Sequence, residues 1–196
     1  MKSWRRRSWS ATASKASADW PGAGARLDVV AGLGFTDSLA RINHKDSVHE
    51  QQCRAPAPCL QGPVERVYRA FLDADAMAKW LPPHGFTCKV DHLDARVGGT
   101  YRMSFSNFSS GQRHAFGGEY QELLVNERIR YTDRFDDPGL PGEITVTITF
   151  NSVSCGTEVN IVQAGLPDLI PLESCYLGWQ ESLNQLANLV EPEIPG

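Results

Sequence analysis

The chain has 196 residues, of which 41% are hydrophobic and 21% are charged. This fits one globular domain with an extension, and no apolar run approaches the roughly 20 residues that span a bilayer. Residues 1–62 hold nine Lys and Arg against five Asp and Glu, but residues 63–196 hold ten against eighteen, an acidic balance that argues against nucleic acid as a partner.

The first 62 residues differ in character from the rest. Their beginning is rich in Arg and Ser, has no acidic residue before Asp19, and lacks the apolar core of a secretory signal. We interpret residues 1–62 as a disordered or non-native extension, and residues 63–196 as the folded domain.

The five cysteines are odd in number, scattered, and without a CxxC pair. They predict free thiols in a reducing, cytoplasmic setting, with Cys88 and Cys175 packed as small hydrophobic residues. Cys53 and Cys59 follow two histidines in the pattern H-x4-H-x3-C-x5-C, beginning at His44 and His49. Because this spacing matches no standard zinc finger, we interpret all four as unpaired loop residues.

Two short helices are predicted at the start of the domain. Val64, Val67, Tyr68 and Phe71 have the spacing i, i+3, i+4, i+7, which is typical of one helix face. A second helix contains Trp80, with aspartates able to cap its start and two prolines after its end.

From residue 86 the apolar period changes to two, which predicts strands. Six runs show it: 86–90, 101–105, 115–124, 129–135, 144–150 and 159–161. Their hairpin-length connections predict an antiparallel meander, with one face covered and one face wet. Gly117 and Gly118 predict a bulge or a sharp curve in the third run.

A long helix is predicted from residue 172 to residue 190, before Pro192. Its large apolar residues recur at steps of four and three: Leu172, Tyr176, Trp179, Leu183, Leu186 and Val190. The helix would be roughly 27 Å long and could lie across five or six strands, so it is the expected cover of the sheet.

A curved sheet around a helix has a concave interior, and the inward positions are rich in aromatic residues. They can fill a core or line a ligand cavity, and an enclosed space of roughly 300 Å³ with a few polar groups would favour a cavity. The candidate cavity residues are Phe71, Trp80, Phe86, Tyr101, Met103, Phe105, Phe116, Tyr120, Tyr131, Ile148, Tyr176, Trp179 and Leu183.

Catalytic signatures are weak, so the sequence predicts no committed catalytic residue, no metal and no cofactor. His84, His92 and His114 lie on different elements and are interpreted as surface or loop residues. Asp133 shares the apolar parity of its strand. An inward carboxyl would have a raised pKa and could act as an acid or base; the alternative is a solvated or arginine-paired side chain.

Six blocks in order resemble a known superfamily. They are VERVYRAFLDADAMAKWLPPHGF, RVGGTYRMSF, GGEYQELLVNERIRYTDRF, ITVTITF, CGTEVNIVQAGLP and CYLGWQESLNQLANLVE. Together they resemble the START-like (SRPBCC) helix-grip superfamily, in the bacterial branch related to the C-terminal domain of Hsp-90 ATPase activators. The resemblance implies an α+β fold, with six or seven antiparallel strands wrapped on the long helix and two short helices after the first strand.

Members of this superfamily differ in function, so the resemblance leaves three alternatives. The domain binds a small apolar molecule, is a cyclase- or hydrolase-like enzyme using cavity Tyr and Asp133, or partners a chaperone ATPase; a homodimer is also compatible.

The superfamily has a strand before the first helix, whereas residues 47–62 alternate poorly and contain Pro56 and Pro58. We therefore expect residues before about Pro63 to be foreign to the family, and an ordered strand paired there would contradict this.

Overall fold

The computed structural model describes residues 51–55 and 58–194, which form eight strands and three helices. The strands are β1 (Gln52–Arg54), β2 (Cys59–Leu60), β3 (Phe86–Leu93), β4 (Thr100–Asn107), β5 (Arg113–Leu124), β6 (Arg128–Phe135), β7 (Ile144–Val153) and β8 (Gly156–Ala164). The helices are α1 (Val64–Ala70), α2 (Ala74–Trp80) and α3 (Leu172–Val190). Within these residues no helix combines the length and apolarity needed to cross a membrane. The extension before residue 51, with His44 and His49, lies outside the described residues.

The strands form one antiparallel sheet in the order β1-β8-β7-β6-β5-β4-β3, and β2 also pairs with β8. The six predicted strands are therefore confirmed, as is the α+β helix-grip fold. Alternation explains the covered face: Ile144, Val146, Ile148 and Phe150 of β7 are buried, while the threonines between them are half-buried.

The edge of the sheet corrects the expectation for the segment before Pro63. Cys53 pairs with Gln163, and Leu60 pairs with Thr157, so β1 and β2 together form one interrupted edge strand on β8. Pro58 directly precedes β2, and its carbonyl oxygen accepts a hydrogen bond from the Val159 N–H at 3.2 Å, so this proline does not remove the strand. A proline is tolerated here because one side of an edge strand needs no ladder hydrogen bonds.

The helices begin and end as the sequence predicts, but one face of α3 differs. Asp73 caps α2 by accepting a hydrogen bond from the Ala76 N–H at 2.8 Å. In α3, Leu172 is 39% exposed and Tyr176 is 41% exposed, whereas Cys175 is buried. The buried positions in the first turn are instead Ser174 and Cys175, so this end of α3 turns small side chains, and not the predicted large ones, towards the sheet.

Aromatic side chains fill the core between α1, α2 and β7. The Phe71 ring lies 4.6 Å from Trp80 and 5.3 Å from Phe150, both in edge-to-face geometry. Trp80 is fully buried and its Nε1–H donates to the Ala70 carbonyl at 2.9 Å. This region is solid packing, and it fixes the short helices against the sheet.

A disulfide corrects the prediction of five free thiols. Cys59 on β2 is bonded to Cys155 in the turn between β7 and β8, with Cα atoms 6.5 Å apart. Cys53, Cys88 and Cys175 remain free. The bond joins residues 96 apart in the chain, so their proximity exists only in the folded sheet.

Candidate ligand-binding site

A cavity of about 110 Å³, not fully enclosed, lies between the N-terminal half of α3 and the concave face of the sheet. Most of its walls are apolar and aromatic. It is lined by Leu81, Pro83, Phe86, Phe105, His114, Phe116, Tyr131, Asp133, Phe135, Ile144, Gln163, Leu166, Ile170, Cys175, Gly178, Trp179 and Ser182. The volume is smaller than the roughly 300 Å³ expected of an ordinary ligand pocket, so an occupant must be small.

Helix α3 covers the cavity with a face of small residues and one tryptophan. The Cys175 Sγ–H and the Trp179 Nε1–H both donate to Gln163 Oε1 on β8, each at 2.8 Å. The Ser182 hydroxyl donates to the Leu81 carbonyl at 2.6 Å. Polar bonds therefore hold this half of the helix above the hollow, where apolar packing is incomplete.

Gly178 lies in the middle of α3 and lines the cavity. A Cβ added at this position would meet no atom within 4 Å. Glycine inside a helix costs about 0.5–1 kcal/mol relative to alanine, so the sequence forgoes stability where a side chain would occupy the hollow.

Asp133 is the buried carboxyl of the site. It is 9% exposed, lines the cavity from β6, and its Oδ1 has no hydrogen-bond partner among the described residues. Burial raises its pKa to about 7, although hydrogen bonding with Tyr101 and the Arg134 backbone acts in the opposite direction. The solvated or arginine-paired alternative is thus wrong, and the inward parity of Asp133 is confirmed.

Close backbone contact places Asp133 at this depth. A Cβ on Gly118 would lie 1.8 Å from the Thr132 carbonyl oxygen, and one on Gly117 would lie 2.4 Å from the Tyr101 oxygen. Glycine therefore allows β5 to approach both neighbouring strands. The register shift of this strand comes later, between Tyr120 and Glu122.

Three tyrosines form a cluster of which Tyr131 lines the cavity. The rings of Tyr101, Tyr120 and Tyr131 lie 5.5–5.9 Å from one another. The Tyr101 hydroxyl donates to the Thr132 carbonyl at 3.1 Å. Burial, followed by the nearby Asp133 charge, raises the pKa values of Tyr101 and Tyr131 well above the ordinary range, so both stay protonated.

The structure divides the predicted cavity residues into three groups. Five line the hollow, together with Asp133: Phe86, Phe105, Phe116, Tyr131 and Trp179. Seven are buried elsewhere in the core: Phe71, Trp80, Tyr101, Met103, Tyr120, Ile148 and Leu183. Tyr176 is exposed on the outer side of α3.

Several lining residues were not predicted, and some had a usable signal. Gln163 shares the parity of Val159 and Ile161 on β8, so strand alternation could have placed it inward. His114, interpreted from sequence as a surface or loop residue, instead lies on β5 in the cavity wall. Gly178 and Ser182 are small and give no apolar signal.

The arrangement can hold a small apolar molecule against one carboxyl that exchanges its proton near neutral pH. Within the described residues, no group of His, Cys, Asp and Glu could hold a metal ion. The fold and this hollow define a START-like helix-grip domain.

The chain belongs to the family described as "Activator of Hsp90 ATPase homolog 1-like protein", which matches residues 61–191. It is similar to a crystal structure of a Chromobacterium violaceum protein, with 63% identity, a TM-score of 0.71, and coverage of 72% of this chain and 98% of that one. No curated protein matches the sequence.

More distant structures share the fold alone. One, from Rhodobacter sphaeroides, has 16% identity and a TM-score of 0.62, covering 71% of this chain and 97% of that chain. An AHSA1-like protein from Aeromonas hydrophila has 20% identity and a TM-score of 0.59, covering 72% and 92%.

Proposed function

We propose that the domain binds a small apolar molecule in the hollow beneath the N-terminal half of α3. The observation that carries this proposal is the unfilled space itself, which borders Gly178 although an alanine would fit there. Cores are normally close-packed, and a persistent void loses dispersion contacts along its lining. An occupant would restore those contacts.

The size of the hollow limits the occupant. An apolar cavity of about 150 Å³ accommodates a benzene molecule, so a space of about 110 Å³ suits a compact group of roughly four to six non-hydrogen atoms. A larger molecule would extend through the open side. Its apolar part would contact Phe105, Phe116 and Trp179.

Native mass spectrometry of the purified protein tests this proposal. The chain should carry a bound small molecule, or take up a small hydrocarbon, and Gly178→Leu should abolish that binding by filling the space. Asn184→Leu is the matched control, because it adds the same side chain to the exposed face of α3. Binding that survives Gly178→Leu unchanged would contradict the site.

Acid–base catalysis is a second candidate, favoured by the buried Asp133 whose pKa lies near 7. A carboxyl with this pKa can both give and take a proton under ordinary conditions. If a bound substrate is converted, Asp133→Asn and Tyr131→Phe should abolish turnover while thermal unfolding stays cooperative. Full turnover in Asp133→Asn would remove this candidate.

A further inference from the structure

The orphan oxygen of Asp133 indicates which group an occupant must carry. The described residues contain three buried side-chain atoms without a partner: Gln51 Oε1, Ser104 Oγ and Asp133 Oδ1. Of the three residues, only Asp133 lines the cavity. An acceptor left unpaired in a buried site costs about 1–3 kcal/mol, so a hydrogen-bond donor in the hollow would be bound favourably.

The chain provides no cation for this carboxyl among the described lining residues, which include neither Lys nor Arg. The adjacent Arg134 side chain forms an exposed ion pair with Glu143 at 2.8 Å. The Tyr101 hydroxyl donates to the Thr132 carbonyl and also lies within hydrogen-bonding reach of Asp133, but it carries no positive charge. The ionised carboxyl thus lacks a Lys or Arg counter-charge among the residues that the structure describes.

The walls suit a positive charge. Aromatic side chains surround the hollow, among them Phe105, Phe116, Tyr131 and Trp179. Ring faces carry negative electrostatic potential and attract ammonium groups, most strongly where water is excluded. A carboxylate within aromatic walls therefore favours a cation over a neutral or anionic group of the same shape.

We propose that the molecule bound in this cavity is a small apolar amine, whose ammonium group donates to Asp133 Oδ1 while its hydrocarbon part contacts the aromatic walls. This inference rests on the proposed function and specifies its ligand class. The ammonium supplies the donor, the counter-charge and the attraction to the rings together.

The amine should bind more strongly as pH rises through about 7, because it pairs with the ionised carboxyl and the free protein holds a proton there below that pH. Tyr101 on β4 and Tyr131 on β6 lie near Asp133, and Ile144 on β7 pairs with it. The cavity is also lined by His114 on β5, Gln163 on β8 and Cys175 on α3. The tyrosines stay neutral, and Ile144 and Gln163 carry no charge. The register places His114 four residues along β5 from the position opposite Asp133, roughly 13 Å away.

Isosteric probes separate the charge from the shape. Isobutylamine, isobutanol and isobutyrate are titrated into the full chain while the Trp179 indole N–H signal is followed by NMR. At about pH 8 the amine should bind at least tenfold more tightly than the alcohol, and isobutyrate should bind weakest. At about pH 6 the amine affinity should fall roughly tenfold, while the affinity for the alcohol should not fall.

Asp133→Asn should erase the preference for the amine, because it keeps the shape and removes the charge. Asp136→Asn is the control: it removes an exposed carboxylate that pairs with Arg102, and the preference should persist. The wild-type pH dependence provides a readout that does not depend on either variant folding. Equal binding of amine and alcohol, or an unchanged preference in Asp133→Asn, overturns the amine while leaving apolar binding intact. If none of the probes shifts the Trp179 signal, both proposals fail.

Discussion

The two halves of α3 meet the sheet in opposite ways. The C-terminal half places Leu183, Leu186 and Val190 into solid packing, close to the disulfide-bonded edge strand. The N-terminal half covers a hollow with Gly178 and Ser182, held by hydrogen bonds. The C-terminal half of α3 therefore stabilises the fold, and the N-terminal half leaves a space in which a small molecule would fit.

This division explains where the polar groups lie. A buried carboxyl oxygen without a partner is costly, and Oδ1 of Asp133 lies at the hollow end, where water or a ligand can reach it. At the packed end the buried Thr157 hydroxyl is paired, because it donates to the Gly62 carbonyl at 2.8 Å. Four experiments test the contrast, beginning with the largest expected effect.

Truncating one tryptophan in the packed core and one beside the hollow should give unequal losses of stability. Trp80→Ala should lower the free energy of unfolding by about 3–5 kcal/mol, because a fully buried ring leaves a new cavity. Trp179→Ala should cost less, about 2 kcal/mol, because part of its surroundings is already empty. Urea denaturation measures both, and equal losses would contradict the contrast between the packed core and the hollow.

The pH dependence of stability should reveal Asp133. The pKa of Asp133 in the folded state, about 7, exceeds its ordinary value of 3.8, so between these values the folded state binds more protons than the unfolded state. This contribution should therefore destabilise the fold progressively as pH rises from about 4 to about 7, by on the order of 4 kcal/mol, and stay level above. Asp133→Asn should flatten that slope in denaturation series, while Asp136→Asn should not; a slope unchanged by Asp133→Asn would refute the assignment.

The disulfide should matter for stability but not for the hollow. Reduction, or the Cys59→Ser variant, should lower the free energy of unfolding by about 3 kcal/mol, because the bond closes a long loop of the unfolded chain. Chemical denaturation with and without reductant measures this, with Cys88→Ser as the control for a free thiol. Loss of ligand binding in folded Cys59→Ser would show that the two halves are coupled.

Two glycines should respond in opposite directions to the same added methyl group. Gly178→Ala should raise the midpoint of thermal unfolding, gaining about 0.5–1 kcal/mol from helix propensity in open space. Gly62→Ala should lower the midpoint and reduce the free energy of unfolding by about 1 kcal/mol, because its Cβ would lie 2.9 Å from the Val190 carbonyl oxygen. A loss of stability in Gly178→Ala would mean that the space is not open.

Periodic patterns predicted the framework because burial on one face leaves a direct trace in the sequence. The alternation of Ile144, Val146 and Ile148 located β7, and the apolar spacing located α3 with both ends correct. Parity alone also placed Asp133 on the inner face. Each of these inferences uses only residues near one another in the chain.

The hollow and the sheet edge could not be read in the same way. A cavity is made of missing atoms, and Gly178 and Ser182 look like ordinary helix residues. The Cys59–Cys155 bond depends on a register between distant segments. The edge strand formed by β1 and β2 was not predicted, because the prolines in this part of the sequence break the alternation that is typical of a strand.

The shared acceptor on Gln163 has a consequence for entry. One amide oxygen accepts from both the Cys175 thiol and the Trp179 indole, so a molecule that lifts this end of α3, and does not extend through the open side, must break both bonds. At about 1 kcal/mol for each bond, the free-energy cost of breaking the two bonds is modest, and both bonds depend on the Gln163 side chain. A change at position 163 would therefore alter how readily the domain opens, without touching its carboxyl.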